Sequence, residues 1–311
     1  MTVSVDVKKW ATSVVVVFAT ILSYSLVTSS YTAVFKTPLT SLALASATLM
    51  FAYFVSSVRL MIIHSRYTGT RLGVSEYYKA RLVGNLVGFL TPSAVGGEIG
   101  RAGYLSSKGF PFTDMVAVSY YEVFFDVVFC NVMGIVFSVY QFPWTLPVLL
   151  VASFTLATWV AISAVLLYAG GRQVSNSRAI PGWRGLGERV LLLAANIARA
   201  FKSVSRRVGV VDLVYIVLLT SASQVLQAAS LLAIMGVYAA RGLVASMRAY
   251  FYSQSLSSIP TPGGAVTSEY GLSLVVDPET VVSFRLVYAL VNIVPGLIIM
   301  LKTYTGKRGR V

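Results

Sequence analysis

The hydrophobic positions of this chain fall in long unbroken runs, separated by short polar or Pro/Gly-rich breaks, and not in the alternation of a strand or the stripe of a surface helix. Six runs are long enough to cross a bilayer core, which takes about 20 helical residues: 11–35, 39–63, 115–140, 144–168, 211–238 and 281–301. The first follows Lys8, Lys9 and Trp10, as in a signal peptide, but exceeds the apolar core of one (about 7–15 residues), so it predicts a retained helix.

Two further apolar stretches are too short and too broken to cross. Residues 77–90 meet Thr91-Pro92-Ser93-Ala94-Val95-Gly96-Gly97-Glu98 and resume over 99–105. Residues 242–259 meet Pro260-Thr261-Pro262-Gly263-Gly264 and resume over 265–276, which carries Glu269. Short arms around such a break predict a re-entrant hairpin, whose tip exposes backbone groups that protein or a wet cavity must satisfy. Pro92, Gly96 and Gly97 mark the first tip, and Pro262, Gly263 and Gly264 the second.

Each hairpin follows the second crossing of a three-crossing half and precedes a helix that carries charge, so residues 1–143 and 144–311 read as two membrane repeats. An odd number of crossings per half inverts the second, a plan that in transporters puts the substrate site at the repeat interface. The expected fold is an all-α polytopic membrane protein of about six transmembrane helices. Two re-entrant helical hairpins, about 77–105 and 242–276, complete an inverted-repeat arrangement.

Composition agrees: 56% hydrophobic and 12% charged residues leave no stretch for a separate water-soluble catalytic domain. The net charge of +14 changes the picture through its distribution. With 8–9, 59–108, 172–207 and 302–310 taken as cytoplasmic, 21 of the 25 lysines and arginines lie on one side. This positive-inside bias predicts a multi-pass plasma-membrane protein with both termini in the cytoplasm. It also assigns the charge to loops and anionic lipid, with no nucleic-acid partner. The basic linker 170–209 closes as an amphipathic helix with Leu186, Val190, Ala194, Ile197, Phe201 and Val204 on one face. Such a helix either lies on an anionic leaflet or packs against the bundle. One cysteine, Cys130, and one histidine, His64, give no disulfide and no metal-ligand spacing, so no metal or cofactor is expected.

The candidate chemistry is charge at depth. Glu122 and Asp126 share a helix face at i and i+4, and Asp126 lies about 16 Å of helical rise beyond Met115, near the middle of the hydrocarbon. Acids there need a partner or a cavity, and Glu98, Arg101, Glu269 and Arg285 are the expected company. Two uses compete: ion pairs that lock hairpins to bundle, or arginines that grip a lipid phosphate while carboxylates position them. Arg101, beside a glycine-rich tip, favours ligand contact. Gly84 and Gly88 form a GxxxG of the kind that brings helices close. No nucleophile and base stand at persuasive spacing, so no enzyme activity is expected.

The run Pro92-Ser93-Ala94-Val95-Gly96-Gly97-Glu98-Ile99-Gly100-Arg101, then Lys108-Gly109-Phe110 and Tyr121-Glu122 to Asp126, resembles the lysylphosphatidylglycerol synthase transmembrane, or flippase-like, family. Pro262-Gly263-Gly264 to Glu269 and Arg285 are similar to its second signature, and the likeness covers nearly the whole chain. The resemblance implies a membrane region that moves anionic or aminoacylated phospholipid, or a polyprenyl-phosphate-linked lipid, between leaflets. It also implies a substrate site at Arg101, Glu98, Glu122, Asp126, Arg285 and Glu269. In bifunctional members a separate domain makes the aminoacyl lipid. This sequence ends at Val311 without one, so a stand-alone member is expected and the synthase activity is not carried over. The expected partners are membrane lipids with an anionic headgroup. The alternative is a non-catalytic membrane partner of a glycosyl- or lipid-transferase, docking through the basic linker.

Overall fold

The structure is a computed structural model, and it describes residues 7–91, 96–171, 183–236 and 240–308, with side chains over 12–91, 96–171, 191–236 and 241–303. Every regular element among these residues is helical. The long runs become α1 (Val7–Val27), α3 (Leu39–Thr68), α6 (Phe112–Tyr140), α7 (Leu146–Ala169), α9 (Val210–Met235) and α12 (Pro278–Arg308). Five of them, α3, α6, α7, α9 and the 278–303 part of α12, are long and apolar enough to cross a membrane; the apolar part of α1, Thr12–Val27, is shorter.

The first run is therefore not one helix over 11–35. It breaks after Val27, where Ser29 takes a left-handed φ of 55° and the Thr28 hydroxyl donates to the Tyr24 carbonyl at 2.8 Å. Thr28, Ser29 and Ser30 offer the backbone hydroxyl partners that compete with helical bonds. The four-residue α2 (Ala33–Lys36) follows, and Pro38 sets the start of α3. At its far end α3 stops on Gly69, whose left-handed φ of 72° lets its N–H close on the Ser65 carbonyl.

Both broken stretches form pairs of short helices: α4 (Val74–Leu90) with α5 (Gly96–Ser106), and α10 (Ala240–Leu256) with α11 (Thr267–Ser273). At about 1.5 Å per residue none reaches across a core of about 30 Å. Element order thus runs long helix, short pair, long helix twice, as α3, α4 and α5, α6 and again as α9, α10 and α11, α12. Helix α3 packs along α9, α12 along α4, and α6 is held among α5, α7, α10 and the linker helix α8 (Trp183–Arg207).

The linker helix α8 (Trp183–Arg207) packs against the bundle in its C-terminal half, where Phe201 and Val204 are buried and Phe201 meets the rings of Tyr120 and Tyr121. Leu191, Leu192 and Leu193 stay exposed. The side chains of Leu186 and Val190 lie outside the described residues, as does linker 172–182.

Candidate functional site

Glu122 and Asp126 do share one face of α6, but the arginines that bind them are not chiefly the expected ones. Arg59 of α3, fully buried, donates from Nε to Glu122 Oε1 at 2.9 Å and from Nη1 to Asp126 Oδ1 at 2.9 Å, and its Nη2 meets both carboxylates. Arg81 of α4 donates from Nη1 to both Glu122 oxygens at 2.9 and 3.1 Å and from Nη2 to Asp126 Oδ2 at 3.3 Å. Helix α9 closes the cluster: Thr220 accepts from Arg59 at 2.6 Å, and Gln224 donates to Asp126 Oδ1 at 2.7 Å while accepting from the Tyr250 hydroxyl. Four helices are joined through two carboxylates, the paired network that buried charge requires, with Arg81 Nε the one cluster atom left buried without a partner among the described residues.

Arg101 stands apart. It is 4% exposed, and its one ion contact among the described residues is a long 3.7 Å from Nε to Glu122 Oε2. That Nε and Oε2 of Glu98, one turn earlier on α5, are buried without a hydrogen-bond partner among the described residues. Polar atoms buried in this way carry a large desolvation penalty that a bound group would relieve. The GxxxG of α4 makes room for Arg101: a Cβ on Gly84 would lie 2.5 Å from Arg101 Cγ and 2.9 Å from the Gly97 carbonyl.

Arg285 and Glu269, two of the expected partners, pair with each other in a second cluster. Arg285 Nε donates to Glu269 Oε1 at 2.7 Å and Nη2 to the Gly263 carbonyl at 2.8 Å, tying α12 to α11 and to the second tip. Gly263 and Gly264 hold φ of 60° and 68°, a turn that other residues adopt only with strain. At the first tip the Gly96 N–H donates to Thr91 Oγ1 at 2.9 Å; Pro92 lies outside the described residues.

Both clusters border one cavity of about 700 Å³. Arg81, Arg101 and Arg285 line it together with Glu98, Asp126 and the tip glycines Gly97, Gly263 and Gly264, while Glu122 and Glu269 stand behind arginines. One face of α7 supplies an apolar wall that includes Leu150 and Phe154, which are 61% and 74% exposed. Among the described residues no three His, Cys, Asp or Glu side chains come together to hold a metal ion.

Arg59, Arg81 and Gln224 escaped sequence reasoning. Arg59 and Arg81 are buried in the bundle, so neither they nor Arg101 behave as the cytoplasmic loop cations that the positive-inside count makes of them. Arg81 carried a signal, a cation in the middle of an arm too short to cross. Gln224 carried one only through its i and i+4 relation to Thr220.

No curated protein matches the chain. Residues 10–299 match the family model described as Lysylphosphatidylglycerol synthase TM region. Helices fit to cross a membrane, paired short helices and arginines buried against acids are thus the features of a chain that belongs to the lysylphosphatidylglycerol synthase TM region family.

Proposed function

We propose that this protein is a lipid translocase of the plasma membrane, with both termini in the cytoplasm, and that it makes no covalent change itself. Its cargo is an anionic or aminoacylated phospholipid or a polyprenyl-phosphate-linked lipid. The observation that carries the reading is the joining, in one cavity, of three guanidiniums, both hairpin tips and an apolar wall exposed on α7. Guanidinium forks suit a phosphate, and the open apolar face suits acyl chains. Arg101 is the principal phosphate ligand because carboxylates engage it least. Arg59 and Arg81 hold the frame, and Arg285 holds the second tip.

Headgroup accessibility over time, for labelled anionic lipids in proteoliposomes, tests this. Wild type should accelerate exchange and Arg101→Gln should abolish it while remaining folded. Exchange retained in a folded Arg101→Gln protein overturns the assignment.

A second reading, a membrane partner for a glycosyl- or lipid-transferase, is favoured by Leu191, Leu192 and Leu193, exposed on the basic helix α8. It requires an enzyme to co-purify and to be lost when residues 170–209 are replaced.

A further inference from the structure

The cavity described above is rich in a second kind of chemistry that the phosphate grip does not use. Besides its charges it presents uncharged amides and hydroxyls, among them Asn85, Asn131, Gln227, Gln254, Ser258 and Thr158. Two of these have unused capacity at buried atoms: Oδ1 of Asn131, a residue 2% exposed, and Nδ2 of Asn85 have no partner among the described residues. An amide oxygen accepts and an amide nitrogen donates, so together they suit a group that does both, as a hydroxyl does. Trp159 and Tyr288 add flat apolar surface to the same lining.

The carboxylates point the same way. An ammonium headgroup needs a free carboxylate, yet Asp126 already accepts from Arg59, Arg81 and Gln224. Glu98 alone of the lining acids has an unpartnered oxygen, and it sits one turn from Arg101 in a lining of three arginines and two acids. An ammonium beside Glu98 would meet those guanidiniums, whereas a neutral hydroxyl can donate to Glu98 without that repulsion.

We infer that the headgroup this cavity takes is a phosphate ester carrying uncharged hydroxyls, a polyol or a sugar, and not one carrying an ammonium. The inference deepens the translocase reading and rests on it for the lipid nature of the cargo. Arg101 takes the phosphate, and Asn85, Asn131 and Glu98 take the hydroxyls.

The test measures binding to the full chain in detergent and leaflet exchange in proteoliposomes, with phosphatidylinositol, phosphatidylmethanol and lysyl-phosphatidylglycerol as probes. Phosphatidylinositol should bind about tenfold more tightly than phosphatidylmethanol, a phosphodiester of equal charge without hydroxyls, the worth of two or three neutral hydrogen bonds. Asn131→Leu, and separately Asn85→Leu, should remove most of that preference, with thermal unfolding in detergent reporting that each variant folds. Phosphatidylmethanol or lysyl-phosphatidylglycerol binding as tightly as phosphatidylinositol overturns the inference, whatever the exchange data show. Phosphatidylinositol bound selectively but never exchanged supports the headgroup assignment and overturns translocation. Water-soluble inositol phosphate binding as tightly as the lipid supports the headgroup chemistry and overturns the lipid cargo.

Discussion

Arg81 stands between Glu122 and the cavity: its Nη1 lies 2.9 Å from Glu122 Oε1, it lines the chamber, and the carboxylate behind it has no exposed side-chain surface. The acid that looks in sequence like a ligand group is therefore reached only through a guanidinium. Under the proposed reading it bears on cargo only by fixing where positive charge sits, and the arginines divide into those that hold the bundle and one that is lightly held.

Arg59 belongs to the first kind. Arg59→Gln leaves Glu122 and Asp126 short of their main partner, and breaking a buried pair in this way typically costs about 3–5 kcal/mol. Arg59→Lys should not restore it, because a point ammonium cannot serve two carboxylates as a fork does. Thermal unfolding in detergent should show a large loss for both variants and little change for Arg101→Gln. Equal losses at the two positions would make Arg101 structural as well.

The α4–α5 contact can be tested at glycines. Gly84→Ala places its Cβ 2.9 Å from the Gly97 carbonyl and against Arg101, so one helix must shift, at about 1–3 kcal/mol. Lipid exchange should fall further than the stability loss explains, because Arg101 moves with the helix. Gly103→Ala meets nothing within 4 Å and should be neutral or slightly stabilising.

At the base of the first hairpin, partial burial pushes the Glu76 carboxyl upward, but bonds from Lys108, Lys79 and Tyr104 outweigh it and hold it at about 2. The depressed carboxylate contributes stability that is full above its ordinary value of 4.5 and is lost as pH falls through about 2. Thermal unfolding of wild type should therefore weaken on acidification across that window more than that of Glu76→Gln. Parallel pH profiles would show that the base is held by other contacts.

Arg285 and Glu269 form a pair suited to a double-mutant cycle. Arg285→Met or Glu269→Leu alone strands a buried charge and should destabilise by about 3–5 kcal/mol, while the double variant should lose less than the two singles together. Additive losses would mean that the bond to the Gly263 carbonyl, and not the ion pair, holds the second tip.

Hydropathy made most of the fold legible, because residues such as those of α7 and α9 have one solvent to satisfy along their whole length. The break after Val27 was not legible, since hydroxyl side chains that bond their own backbone leave a run looking apolar enough to continue. Of the site, the depth of Glu122 and Asp126 and the two glycine tips could be read directly. Their partners could not: Arg59 lies near the end of an apolar run, where counting takes any arginine for a loop cation, and only the packing of α3 on α9 turns it inward. The pairing of Arg285 with Glu269 and not with α6 likewise depends on how the second hairpin folds back, which no linear spacing encodes.

The apolar wall of α7 has a last consequence. Leu150 and Phe154 border the chamber and are 61% and 74% exposed, so under the translocase reading proposed above a lipid that enters over them enters sideways, from within the bilayer. Occupancy is then governed by mole fraction in the leaflet, a two-dimensional concentration that dilution of the vesicles in buffer leaves untouched. With its tails in the oil throughout, a lipid of shorter or longer chain should pass at nearly the same rate.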